Sequence, residues 1–186
     1  MLILASNSIR RKELLEEKGF NVQVVHNEVN EKSVKITKRP REYVRRIALL
    51  KMRKYLATYF ENEVVITADT IVVLNNEYIG KPSNEEDTIR IVNMLNNKWH
   101  EVYTGVAVHY RNKKYTITEK SKVKFRNLSN QEIRNYSKTT FWHGKAGAYG
   151  IQDPNSLVEK HEGDLNNIIG LPVDKLIKLL KKINAI

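Results

Sequence analysis

The chain has 186 residues, 41% hydrophobic and 28% charged, which suits one globular domain, of one or two lobes, large enough to bury a core. It holds no cysteine, which excludes disulfides and thiolate metal sites and fits a reducing compartment. The net charge of +11 suits an anionic ligand such as nucleic acid, anionic lipid or a small polyanion, but the basic residues are spread along the chain and a solvated basic surface accounts for them equally.

Leu2 to Ala5 is a short apolar run that reads as a buried strand. The chain turns polar at Ser6, so this run is too short for a signal-peptide core or a membrane span, and a soluble, cytoplasmic protein is expected. Ser6-Asn7-Ser8 forms a tight loop, and a helix follows over Arg10 to Lys18, with Ser8 as N-cap and Gly19 at its C-terminal stop. Val22, Val24 and Val25 suggest a second strand, and residues 26–38 a polar loop. A long helix is predicted from about Pro40 to Phe60, with Val44, Ile47, Ala48, Lys51 and Tyr55 near one another along it. Val64-Val65-Ile66 leads into Thr67-Ala68-Asp69-Thr70, Ile71 to Leu74 continues as strand, and Asn75-Asn76 is a hairpin tip.

Ser83-Asn84-Glu85-Glu86 reads as a capping box opening a helix to about Leu95. Val102 to Tyr110 and Tyr115 to Phe125 read as strands around an Arg111-Asn112-Lys113-Lys114 turn. Ser129-Asn130-Gln131-Glu132 is a second capping box, with a helix to about Ser137. Residues 142–172 hold five of the eight glycines and two of the four prolines, so they read as loop. Val173, Leu176, Ile177, Leu180 and Ile183 share one face of a terminal helix, which reads as packed on the core and not on a membrane. Strands mixed with helices indicate an α/β fold.

The strand, serine loop and helix N-terminus at residues 1–19 make an anion site from free backbone N–H groups and the helix dipole, and Ser6 and Ser8 add hydroxyl donors. Arg10 and Arg11 stand in the first helical turn, where cations cost a few tenths to ~1 kcal/mol, and arginine grips phosphate through paired hydrogen bonds. Asp69 follows an apolar strand run, where it can hold Mg²⁺, take a proton from water, or simply cap a turn. Glu28 or Glu31 could complete a hard-metal site with it. Lys51 projects from an apolar helical face, and Lys81 is held between Gly80 and Pro82; both are equally readable as surface lysines. His100, His143 and His161 show no metal-ligand spacing. No Walker A loop, Rossmann fingerprint or zincin motif is present.

Six segments, in order, resemble the Maf family of nucleotide pyrophosphatases. They are Leu4-Ala5-Ser6-Asn7-Ser8-Ile9-Arg10-Arg11-Lys12-Glu13-Leu14-Leu15, Ala68-Asp69-Thr70, Gly80-Lys81-Pro82, His100-Glu101-Val102-Tyr103-Thr104-Gly105-Val106, Ala146-Gly147-Ala148-Tyr149-Gly150-Ile151-Gln152 and Gly170-Leu171-Pro172. The resemblance spans nearly the whole chain and implies a single domain over residues 1–186. It also implies an elongated α/β fold, a mixed sheet with flanking helices and two lobes around a cleft, related to the inosine triphosphate pyrophosphatases. A divalent metal (Mg²⁺ or Mn²⁺), a nucleoside triphosphate substrate and often a homodimer are implied with it.

By the same resemblance, the catalytic aspartate falls on Asp69 and the loop glutamate on Glu31, both as metal ligands or base, with phosphate-side lysines at Lys51 and Lys81. Ser6, Arg10 and Arg11 become the phosphate-binding set. Arg10, Thr70 and Gln152 match the branch implied to hydrolyse dTTP and UTP, and a Gln152 amide offers both donor and acceptor to a uracil or thymine edge. The chain departs from the family at Ile9, where proline is usual, at Asn166-Asn167, and at Asp153, where glycine is usual. Asp153 adds a negative charge beside the presumed base pocket.

Two other readings stand beside this one. A nucleic-acid-binding protein fits the bulk charge, but the aromatics do not cluster with basic residues as a single-strand platform requires, so nucleic acid is disfavoured as a partner. A regulatory protein that binds nucleotide without turnover is the other.

Overall fold

A computed structural model of the chain describes residues 1–59 and 62–186. Phe60, where the long helix is predicted to end, lies outside the described residues. The elements in chain order are β1 (Leu2–Ala5), α1 (Ile9–Glu16), β2 (Val22–Val25), α2 (Pro40–Thr58), β3 (Val64–Leu74), β4 (Glu77–Ile79), α3 (Glu85–Leu95), β5 (Trp99–Tyr110), β6 (Lys113–Phe125), α4 (Asn130–Ser137), β7 (Val158–Glu162), α5 (Leu165–Ile169) and α6 (Val173–Lys182), with short 3₁₀ turns at Glu31–Ser33 and Ala146–Ala148. The described strands hydrogen-bond in the order β2-β1-β3-β5-β6-β7, with β4 paired to β3. The β1–β2 and β1–β3 pairs are parallel, and the β3–β4 and β6–β7 pairs antiparallel, so the α/β class and the mixed sheet are as the sequence indicates.

The chain divides into two compact units, each assembled from separate stretches. Unit 1 comprises Met1–Thr70, Thr104–Glu119 and Gly170–Ile186. Its core joins Ile3 and Ala5 of β1, Val65 of β3 and Ala107 of β5 with Ala48, Met52 and Tyr55 of α2, the buried stripe of that helix. Pro40 opens α2 at a position where its missing N–H costs nothing. Gly105 lets α2 approach β5 closely, since a Cβ there would lie 2.5 Å from the Val44 carbonyl carbon. Thr67 adds a mooring, its hydroxyl donating to the Ala48 carbonyl at 2.7 Å. Ser8 occupies the N-cap of α1, but its side chain makes no capping bond, and the helix ends at Glu16, short of Lys18. The β5–β6 turn is tighter than the predicted four residues, because Arg111 and Asn112 both take left-handed conformations (φ 48° and 61°).

Unit 2 comprises Ile71–Tyr103 and Lys120–Ile169, with a core that includes Val72, Ile91, Leu95, Phe125 and Ile133. The Asn75-Asn76 tip is formed as predicted, both residues having positive φ (50° and 64°). The box predicted from Ser83 is not formed, and the helix is capped one residue later. Asn84 is the N-cap, its side chain accepting from the Asp87 N–H, and the Asp87 carboxylate reaches back to the N–H of Ser83. The Ser129–Glu132 box is intact. Residues 142–172 are more regular than a loop, holding β7 and α5. β7 is an edge strand whose last four residues are exposed, so it lacks the apolar alternation that would reveal it. Among the described residues no helix is long and apolar enough to cross a membrane.

Candidate functional site

Unit 1 gathers three charged side chains from three elements. Asp69 lies inside β3, two residues beyond Thr67 and so on the same face of the strand, toward α2. Lys51 of α2 donates from Nζ to Asp69 Oδ1 at 2.7 Å. The same ammonium lies 2.9 Å from Oε1 of Glu31, in the 3₁₀ turn of the polar loop. Asp69 and Lys51 are largely buried, with side chains 7% and 12% exposed, while Glu31 is 39% exposed. Burial raises the pKa of Asp69, with Lys51 pulling the other way and Glu31 adding to the rise. Asp69 Oδ2 is buried and has no hydrogen-bond partner among the described residues.

Asn27 fixes the loop that carries Glu31. Its side-chain amide donates to the Lys51 carbonyl at 2.9 Å, and its own N–H donates to Asn7 Oδ1 at 3.1 Å. Asn7 in turn donates to Glu28 Oε1 at 2.9 Å. Glu28 thus braces the serine loop, and Glu31 is the loop glutamate that meets Lys51.

Beside Asp69 in β3, Thr70 belongs to a second network, centred on Arg11. Arg11 is buried, and its Nε, Nη1 and Nη2 donate to the Gly170 carbonyl (2.8 Å), Ser6 Oγ (3.1 Å) and Thr70 Oγ1 (3.2 Å). Burial lowers its pKa, and Asp69 opposes that. Thr70 Oγ1 also pairs with Thr104 Oγ1 at 2.8 Å. Ser6 Oγ receives the Ser8 N–H at 3.3 Å as well as Arg11. A hydroxyl has two acceptor lone pairs and one proton, so Ser6 is left to act as a donor. Arg10 and Ser8 are half-buried.

Lys81 and Gln152 belong to unit 2, and both are exposed. Their loops are tied together there, the Gly147 N–H donating to the Gly80 carbonyl at 3.0 Å. The charge of Asp153 is met by Lys145, at 2.6 Å. His100 is buried, with Nε2 paired to the Tyr149 hydroxyl at 2.7 Å, whereas His143 and His161 are exposed. Asn7, Asn27, Thr104 and Gly170 are the members of these networks that sequence reasoning missed. Asn7, Thr104 and Gly170 stand inside three of the six motif segments, a signal without a role; Asn27 carried none. Among the described residues no group of three or more His, Cys, Asp or Glu converges on a metal site.

Residues 1–183 match the family described as Maf-like protein. A dTTP/UTP pyrophosphatase of Dictyoglomus thermophilum is 43% identical over 185 residues, 98% of this chain and 95% of the relative. A dTTP/UTP pyrophosphatase of Pyrococcus abyssi is 41% identical over 184 residues, 97% of this chain and 95% of its own. Among solved structures, a HAM1 protein from Coxiella burnetii aligns with TM-score 0.53 at 13% identity, covering 97% of this chain and 98% of that one, a likeness of fold alone.

Proposed function

The chain belongs to the Maf family, and on that premise we propose that it hydrolyses nucleoside triphosphates, dTTP and UTP foremost, to nucleoside monophosphate and pyrophosphate. The observation that carries this reading is the near full-length likeness, at 43% and 41% identity, to relatives named dTTP/UTP pyrophosphatase. The chemistry of unit 1 supports it.

Water attacks the α-phosphorus in line. Its oxygen bonds to phosphorus, the bond to the oxygen bridging toward the β-phosphorus breaks, and pyrophosphate leaves with that electron pair. Asp69 takes the water's proton on Oδ2, the oxygen without a partner among the described residues. Ser6, its acceptor positions filled by Arg11 and the Ser8 N–H, donates its own proton to a phosphate oxygen. Arg10 and the N–H groups opening α1 add positive potential there, and Arg11 holds Ser6 and Thr70 in place. Lys51 balances charge on the departing pyrophosphate, the role that the family resemblance also gives Lys81. Gln152 reads the pyrimidine edge.

A divalent cation, Mg²⁺ or Mn²⁺, fits the donor set in unit 1. Asp69 and Glu31 already converge on one cationic group, the Lys51 ammonium, and Asp69 Oδ2 is a buried oxygen with no partner among the described residues. Mg²⁺ needs only one or two carboxylates, the rest being water and substrate phosphates. When bound, such an ion neutralises charge developing on the phosphate oxygens.

The test is pyrophosphate release by purified protein from dTTP, UTP, CTP, ATP and GTP with Mg²⁺ or Mn²⁺. Release from dTTP and UTP above the others is expected. No release from any triphosphate by folded protein with metal present would overturn the reading.

A further inference from the structure

The turn that carries Gln152 is closed twice by one residue. The Asp153 N–H donates to the Gly150 carbonyl at 3.2 Å, and Asp153 Oδ2 accepts the Gly150 N–H at 2.7 Å. A side chain at residue 150 would forbid this, because a Cβ there would lie 2.7 Å from both carboxylate oxygens. The same carboxylate takes Lys145 Nζ at 2.6 and 2.7 Å, one contact to each oxygen.

The two side chains are only 13% and 14% exposed, so solvent and salt screen this pair far less than an ordinary surface pair. Lys145 itself stands on a rigid base. Its N–H donates to the Trp142 carbonyl, and its carbonyl accepts the Ala148 N–H. Ala148 is fully buried at a φ of 65°, a strained conformation for a residue with a side chain, and its carbonyl accepts the Tyr136 hydroxyl at 2.8 Å. Gln152, by contrast, is exposed. The conformation of the turn is what aims it.

From this geometry we infer that the Lys145–Asp153 pair is a positioning device for base discrimination, clamping the Gly150–Asp153 turn to the core so that the Gln152 amide is presented in one orientation. The inference rests on the reading of Gln152 as the residue that recognises the pyrimidine. Uracil and cytosine differ by an exchange of donor and acceptor at one edge, so a fixed amide distinguishes them and a swivelling one does not. The pair also commits the Lys145 charge to Asp153, leaving phosphate charge to other cations. Lys145 and Asp153 act through Gln152 and do not touch the reacting atoms.

The experiment measures kcat and KM for UTP and CTP with the full-length enzyme. The variants are Asp153→Asn, which keeps an acceptor for the Gly150 N–H but removes the charge, and Lys145→Met, which keeps the length of the side chain. Each is made in the wild-type and in the Gln152→Ala background. Either change is expected to raise KM for UTP about five- to tenfold, with kcat within about twofold and KM for CTP little altered. In the Gln152→Ala background both effects should vanish, since a residue acting only through another shows complete coupling. Unchanged discrimination in both variants, while Gln152→Ala alters it, overturns the clamp and leaves the role of Gln152 standing. An equal effect with and without Gln152 also overturns it. Discrimination untouched by Gln152→Ala itself overturns the reading of Gln152 and the clamp with it.

Discussion

The ammonium of Lys51 lies 2.7 Å from Oδ1 of Asp69, inside a strand where the carboxylate is 7% exposed. Ionising a carboxylate there is costly, and the lysine is what offsets the cost. The two opposing influences on Asp69, burial and Lys51, make its charge state sensitive to any change at residue 51.

Replacing Asp69 by Asn keeps the shape and removes the base. Turnover of dTTP and UTP should fall by about 10²-fold or more with the melting temperature nearly unchanged, read by pyrophosphate release and thermal unfolding. In the wild type, the raised Asp69 pKa means that activity declines as pH falls through it, and that limb should be missing from the residual activity of the Asn variant. A variant with near-normal turnover would remove Asp69 from the mechanism.

Lys51→Met should destabilise the metal-free protein by about 1–3 kcal/mol, by leaving Asp69 without its partner. Asp69 then binds its proton more tightly, so the acid limb of the activity profile moves to higher pH. Mg²⁺ should raise the melting temperature of this variant more than that of the wild type, because an ion takes over the role of the ammonium between Asp69 and Glu31. Equal shifts in the two proteins would refute the carboxylate pair as the metal's ligands.

Gly105→Ala forces a methyl group to within 2.5 Å of the Val44 backbone. The helix that carries Lys51 must then move off the sheet, at about 1–3 kcal/mol, or a loss of about 2–10 °C in melting temperature. Turnover should drop with it. Wild-type stability in this variant would show that α2 accommodates the methyl group freely.

His100 sets a pH window for stability. Burial lowers its pKa from 6.5 to about 4, so the unfolded chain takes up a proton near pH 6.5 that the folded chain refuses until about pH 4. Its contribution is present above pH 6.5 and is lost as pH falls toward 4, a decline of roughly 3 kcal/mol. Urea midpoints measured across that range should fall more steeply for the wild type than for His100→Gln. Parallel curves would mean that His100 does not titrate as its burial requires.

Much of the fold was legible because it is written locally. The Asn75-Asn76 tip, the Ser129–Glu132 box and the apolar stripe of α2 each need only a few neighbouring residues. β7 was not, since its edge position leaves it polar, and the Ser83–Glu86 pattern masked the true N-cap of α3, Asn84. Within unit 1, Asp69, Lys51 and Glu31 were nominated from the sequence, and the structure brings them together. What pattern could not supply was the partner list of Arg11. Its contact with Gly170 spans 159 residues, and no spacing rule reaches that far. Likewise Asp153 read as an added charge, because its neutralising lysine is recognised only once the turn is folded.

The bond from Arg11 to Gly170 also bears on how the enzyme comes into being. Unit 1 draws on both early and late stretches of the chain, and Gly170 opens the last of them. A nascent chain emerges N-terminus first, so Ser6, Arg11 and Thr70 leave the ribosome long before the carbonyl that fixes Arg11. Ser6, proposed to donate to phosphate, therefore waits, its Arg11 support unanchored, until residue 170 has emerged.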